Sequence, residues 1–350
     1  MKRLVALLLV LLCCSVCAVE GSAQDQETEK QDLLNRIEEL EKRVNELTEE
    51  SRARRKLEIT EQERQEKEKE VLEAVGREYA LDPRHTLGLD YTLSYKYAPT
   101  ERLTNQANQL LVEREIDHEI RHTITIAYSI LDNLTFSTGV PFVYRYNEVG
   151  TDRELDETDI GDISLGLLFQ PYKSSAGQVR TILGLNAVLP TGRSPFKINP
   201  ETELSTGNGV YEYSLTASFS KQIDPVVAFW SIGYTYRMDA RGLDYRVLEN
   251  YILEKVETGD YISVSAGLGY ALSYKVSVNS SFSYAYKFSN SYHYRGAPRP
   301  IESGDDVSAT FGVGMGWKAT SKTTLSFSLA YNLSEPGFAF TFRAPFSFVL

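Results

Sequence analysis

Residues 116–147 constrain the fold more than any other stretch. Even positions on the first arm are large (Ile116, His118, Ile120, His122, Ile124, Ile126, Tyr128, Ile130), whereas odd ones are Asp117, Glu119, Arg121, Thr123, Thr125, Ala127 and Ser129. After Leu131-Asp132-Asn133 the pattern resumes, with Leu134, Phe136, Val140, Phe142, Tyr144 and Tyr146 on one face and Thr135, Ser137, Gly139 and Arg145 on the other. A period of two closed by a short turn is a β-hairpin whose faces meet different solvents. Each arm exceeds the roughly 9–11 residues a tilted strand needs to cross a bilayer. The stretch reads as one hairpin of an outer-membrane barrel.

The chain opens with Met1-Lys2-Arg3, an apolar run to about Val19, and Gly21-Ser22-Ala23. This is the pattern of a secretory signal peptide, residues 1–23, cut after Ala23. Cys13, Cys14 and Cys17 all lie within it, so the expected mature chain has no thiolate for disulfides, catalysis or metal binding. Residues 24–80 are charge-rich. Leu33, Ile37, Leu40, Val44 and Leu47 follow alternating spacings of four and three, the seam of a short coiled coil. The seam fades at Ser51 and returns at Leu72 and Val75. We expect a periplasmic coiled-coil helix or spacer that either self-associates, giving a homo-oligomer, or binds a periplasmic partner.

From about residue 81 to 350 the texture is alternation throughout. Strands are predicted at 86–97, on the two arms above, and at 162–170, 179–189, 210–220, 226–237, 261–272, 276–288, 307–318, 323–333 and 338–350. That makes an all-β, 12-stranded antiparallel transmembrane β-barrel with an N-terminal coiled-coil helix, the even count matching single-chain bacterial barrels. Short turns alternate with long polar loops at about 98–115, 147–161, 190–209, 238–260 and 289–306. Long loops belong outside the cell and short turns in the periplasm, which puts the N-terminal helix in the periplasm of a Gram-negative cell. Tyrosine pairs beside the long loops (Tyr95/Tyr97, Tyr144/Tyr146, Tyr211/Tyr213, Tyr234/Tyr236, Tyr284/Tyr286) predict an interfacial girdle. The opposite faces are small and polar, including Ser277, Asn279, Ser281 and Ser283, and Gly312, Gly314 and Gly316. Twelve strands leave room for a narrow aqueous path or a plug.

Three segments carry a family resemblance: Val140-Pro141-Phe142-Val143-Tyr144-Arg145, Gly161-Asp162-Ile163-Ser164-Leu165-Gly166-Leu167, and Leu189-Pro190-Thr191-Gly192. In order and strand position they resemble the MetA-pathway of phenol degradation family of outer-membrane barrel transporters. The resemblance spans roughly residues 85–350 and implies a channel for small, aromatic or hydrophobic compounds. It brings no catalytic motif. The terminal FAFTFRAPFSFVL is similar to barrel insertion signals, although it ends in Leu350 rather than phenylalanine.

His118-Glu119-Ile120-Arg121-His122 spells the zinc-protease string HExxH. That chemistry needs a helix, which sets residues four apart on one face. In a strand the histidines stand about 13 Å apart, at ~3.3 Å per residue, and Glu119 points to the other face. Enzymatic function, metal and cofactor are therefore not expected. The acidic balance, 37 basic against 48 acidic residues, argues against a nucleic-acid partner. The candidate functional residues are inward charges. Asp90, Arg121 and Arg343 are candidates for a mid-lumen cluster or for an ion pair on the closing seam. Lys96, Glu119, Arg145, Glu212, Arg237 and Lys287 are candidates for a mixed-charge vestibule. The expected function is passage of small solutes across the outer membrane. The alternative is a structural or tethering envelope protein anchored by the barrel.

Overall fold

The computed structural model describes residues 36, 39–40, 42–44, 68, 71–72, 74–75, 79–106, 109–150, 153–173, 178–199, 202–223, 225–248, 251–320 and 323–349. The chain divides into two units, residues 1–60 and 61–350. In the first, described residues between Arg36 and Val44 are helical, with an Arg43–Glu39 ion pair at i, i+4. Leu40 and Val44 of the expected seam are 60% and 59% exposed, and Leu33, Ile37 and Leu47 lie outside the described residues. Among the described residues no second helix covers that stripe, so the helix is not a coiled coil here. A heptad stripe needs a partner chain to bury it.

The second unit is a closed antiparallel barrel. Its wall consists of β1 (Thr86–Gln106), β2 (Gln109–Leu131), β3 (Leu134–Val149), β5 (Ile163–Phe169), β6 (Arg180–Leu189), β7 (Glu212–Ile223), β8 (Val226–Arg237), β11 (Tyr261–Ala271), β12 (Val276–Lys287), β15 (Asp306–Thr320), β16 (Thr323–Asn332) and β17 (Phe338–Val349). These twelve are the strands read from alternation. Pairing of β1 with β17, from Thr86↔Val349 to Tyr97↔Phe338, joins the two ends of the sheet. Closure matters because an unpaired edge within hydrocarbon leaves backbone N–H and C=O groups without partners. Residues expected to face lipid are exposed large apolar side chains, among them Ile124, Phe142, Leu185, Leu215, Ile232, Leu268, Phe311 and Phe348. In a soluble chain such a continuous apolar surface would aggregate; here it is the bilayer-facing belt.

Three expected loops are in fact folded. β4 (Arg153–Ile160) occupies the third connection and pairs with β3. β9 (Ala240–Leu248), β10 (Tyr251–Glu257), β13 (Ser291–Arg295) and β14 (Ile301–Glu302) form a separate four-stranded sheet from the seventh and ninth. Register shifts between Leu253 and Lys255 and between Tyr251 and Ile252 break the period of two, which hides these strands from a pattern search. Beneath the sheet Val210, Ala240, Leu243, Leu253 and Val256 are buried, with Phe196, Tyr245, Tyr292 and Tyr294 packed on them. The long-loop end thus carries its own small apolar core. β1 and β2 also continue past the wall as a projecting hairpin, with pairing up to Gln106↔Gln109.

The segment expected to be a spacer ends inside the barrel. Val71 and Leu72 are 1% and 0% exposed and cluster with Tyr79, Val227 and Phe229. Val227 and Phe229 face the lumen from β8, and Tyr79 lies 5.2 Å, centroid to centroid, from Phe229. Two lumen-facing glycines seat this segment. A Cβ on Gly269 would collide with Val71, and one on Gly316 would sit 2.5 Å from Ala74 Cβ. Glu68, itself buried, lies 3.5 Å from Arg180 on the inner face of β6.

Candidate functional site: the barrel lumen

Every charged candidate falls on the face that the alternation assigns to the lumen, and the two histidines of β2 on the other. At the closing seam Arg343 donates to Asp90 at 3.0 Å, with side-chain exposures of 17% and 5%. Arg343 stands opposite Thr92, two residues from Asp90 and on the same face, so adjacent strands bring the pair together directly. Arg121 does not join them. It stands opposite Ser94, higher in the wall, and donates through Nε to Glu119 at 2.8 Å. The expected three-residue cluster is a pair at the seam and a separate pair above it.

The vestibule residues sort into further pairs. Arg145 donates to Asp117 at 2.7 Å and reaches the backbone carbonyl of Ser205 at 2.9 Å. Asn147, across the ladder from Asp117, donates to Glu115 at 2.8 Å. Arg237 donates through Nε to Glu212 at 2.8 Å, both side chains being about nine-tenths buried. Lys96 stands opposite Glu119 in the β1–β2 ladder, and Lys287 opposite Asp306 in the β12–β15 ladder. Basic and acidic residues therefore alternate around the inner wall instead of gathering on one side. Such rings set electrostatic barriers for permeating solutes.

At the short-turn end the lumen is lined by apolar and small groups and filled by Val71, Leu72, Ala74 and Tyr79. Nothing in the periodicity of 24–80 marked Val71 or Glu68 as lumen residues. Gly316 had read as lining water, whereas it is a seat for the plug. The signal was the return of apolar residues at Leu72 and Val75, shortly before the first strand, which reads equally as a resumed coiled-coil seam.

One part of the wall is not continuous sheet. β3 pairs with β5 through Leu134–Gly139 and with β4 through Phe142–Val149. The change of partner falls at Pro141, which has no N–H to donate. Here the Gly161-Asp162 turn meets residues 190–211. Asp162 accepts backbone N–H bonds from Gly192 at 2.9 Å and Asn208 at 2.5 Å, and Thr191 donates to the Gly161 carbonyl at 2.8 Å. Gly207 is packed so closely on Asp162 that a side chain there would displace the carboxylate. Two of the sequence segments that stood out, Gly161–Leu167 and Leu189–Gly192, are thus joined by one aspartate.

The HExxH string is in β2, with both histidines outward. His122 shares a 2.8 Å hydrogen bond with Tyr91 and His118 a 2.9 Å bond with Tyr95, each cross-strand. Tyr97 and Tyr146 flank His118, and Phe338 packs on Tyr97. The histidines belong to the aromatic girdle, and Glu119 lies on the other face, paired with Arg121.

Comparison with solved structures supports the same architecture. The COG4313 outer membrane channel from Pseudomonas putida F1 superposes with a TM-score of 0.58 at 16% identity, covering 78% of this chain and 98% of that one. The translocator domain of the autotransporter NalP from Neisseria meningitidis matches at TM-score 0.46 and 10% identity, over 81% and 94% of the two chains. A CymD monoaromatic hydrocarbon channel matches at TM-score 0.36 and 10% identity, over 75% of this chain and 89% of the other. At these identities the first likeness speaks for the fold. The family model described as MetA-pathway of phenol degradation matches residues 102–348, and the chain belongs to that family.

Proposed function

We propose that the protein is an outer-membrane channel that passes small solutes, aromatic or hydrophobic compounds among them, from the long-loop end through the lumen to the periplasm. The observation that carries this reading is the combination of a lipid-facing exterior, a charged and hydroxyl-lined interior, and an apolar segment seated in that interior at the short-turn end. A barrel serving only as an anchor has no need of a wall lined with buried charge pairs, each of which costs desolvation. The family description, which refers to phenol degradation, and the channel named in the COG4313 structure support the same direction. In this reading the termini and residues 24–67 lie in the periplasm and the four-stranded sheet lies outside the cell.

The test is planar-bilayer recording of the purified full-length protein with phenol added on the long-loop side. Discrete ion currents reduced by phenol are the expected result. A folded protein that carries no current under any polarity, and that fails to admit phenol into proteoliposomes, removes the channel function.

A further inference from the structure

Two cationic side chains at the long-loop end of the lumen have hydrogen-bonding capacity that no described residue takes up. Arg237, 10% exposed, gives Nε to Glu212, but its Nη1 is fully buried and has no partner among the described residues. A buried guanidinium donor left without an acceptor is costly enough that native structures nearly always supply one. Lys287, the last residue of β12, is partly buried. Among the described residues no carboxylate lies within 4.0 Å of its ammonium, although Asp306 is its ladder partner.

The register brings these two groups to one place. Thr235 pairs with Tyr261 and Tyr261 with Lys287, so β8, β11 and β12 present Arg237, Tyr261 and Lys287 side by side on the inner face. Three carboxylates are near. Glu212 is committed to Arg237 Nε; Asp260 is turned to the outer face, where it accepts from Tyr234 and from the Arg237 backbone; Asp306 pairs with neither cation. Val210, two residues before Glu212, belongs to the apolar core under the four-stranded sheet, with Phe196, Tyr292 and Tyr294. Two unspent cationic donors therefore adjoin a roof of aromatic and aliphatic groups.

We propose that Arg237 and Lys287 form a binding subsite for a small organic carboxylate, one oxygen accepting from Arg237 Nη1 and the other from the Lys287 ammonium, with its apolar body against the core above. Charge-assisted hydrogen bonds of this kind are about twice as strong as neutral ones, and the planar guanidinium suits a carboxylate better than a spherical anion. The subsite rests on the channel reading only in its purpose: it selects aromatic or alkyl acids at the entrance, while Glu212 keeps Arg237 aimed and limits how tightly an anion is held.

The test is titration of the detergent-solubilised full-length protein with benzoate, with phenol and chloride as comparators, followed by calorimetry or ligand-observed NMR. Lys287→Gln leaves the Glu212–Arg237 pair intact and serves as the primary variant; Arg237→Lys keeps the charge and removes the planar fork. Saturable benzoate binding, weakened tenfold or more by Lys287→Gln and also weakened by Arg237→Lys, with phenol binding unchanged, is the expected result. Benzoate binding equal in wild type and Lys287→Gln overturns the proposal, as does no binding at all, or chloride competing as well as benzoate. Because the titration reads binding without transport, these outcomes are independent of whether the bilayer recordings show a channel.

Discussion

Leu72→Ala tests the seating of the plug most sharply. Leu72 is completely buried among Val71, Tyr79, Val227 and Phe229, with no polar group involved. Truncating a fully buried leucine costs about 2–5 kcal/mol, and the low end applies where water can enter the space left behind. The lumen is such a place, so about 2 kcal/mol is expected. At about 1.4 kcal/mol per tenfold, the ratio of unseated to seated plug rises about thirtyfold. The strands do not depend on this contact, because their ladders close without it. In planar bilayers the variant should open far more often than wild type, while its heat-dependent mobility on gels, the mark of a folded barrel, is unchanged. Gly316→Val should act in the same direction, since its side chain would occupy the space of Ala74. If both variants are folded and conduct as wild type does, the segment does not occlude the lumen.

Other consequences follow from the same contacts. Arg343→Ala removes the ion-pair partner of a 4%-exposed Asp90 and should destabilise the barrel by about 3 kcal/mol in denaturant melts, with Asp90→Asn restoring much of the loss. Asp162→Ala withdraws the acceptor for two backbone N–H groups; hydrogen exchange in residues 190–208 should accelerate by more than tenfold, a charged hydrogen bond being worth about 1.5–3 kcal/mol. In the four-stranded sheet, a hydrogen bond from Lys255 holds the Glu257 carboxyl below its ordinary value of 4.5. A lowered folded-state value means that the stabilisation is present above pH 4.5 and is lost as pH falls through the folded-state value. Exchange protection of β10 should therefore drop on acidification below about pH 4.5, and Lys255→Met should abolish that pH dependence.

The barrel was legible because a bilayer imposes a two-residue period on every wall strand. Ile116–Ile130 displays it without a break and Phe338–Phe348 with only Ala344 small on the large face, and both pair as the pattern required. What lies outside the bilayer is freed from that constraint. β9 and β10 carry bulges, and their apolar residues are covered by neighbouring loops, so no local period announced them. Parity assigns all the charged candidates to one face, but it says nothing about depth or partner. Arg343 and Asp90 meet because their strands are neighbours in the closed sheet, whereas Arg121 turns to Glu119 two residues away. The plug was obscured for a different reason. A short apolar stripe on a charged helix reads the same whether it faces another helix or the inside of a barrel, and only Gly269 and Gly316, far off in sequence, decide between them.

Spin labels placed singly along β7 test the inside-out arrangement on which all of this depends. The only cysteines are Cys13, Cys14 and Cys17, within the segment expected to be removed, so introduced cysteines label cleanly. In reconstituted full-length protein, labels at Tyr213, Leu215 and Ala217 should be reached by oxygen dissolved in lipid, and those at Ser214, Thr216 and Ser218 by a water-soluble nickel complex, alternating residue by residue. Accessibility to the nickel complex at Leu215 equal to that at Thr216, or the inverse alternation, would contradict the account.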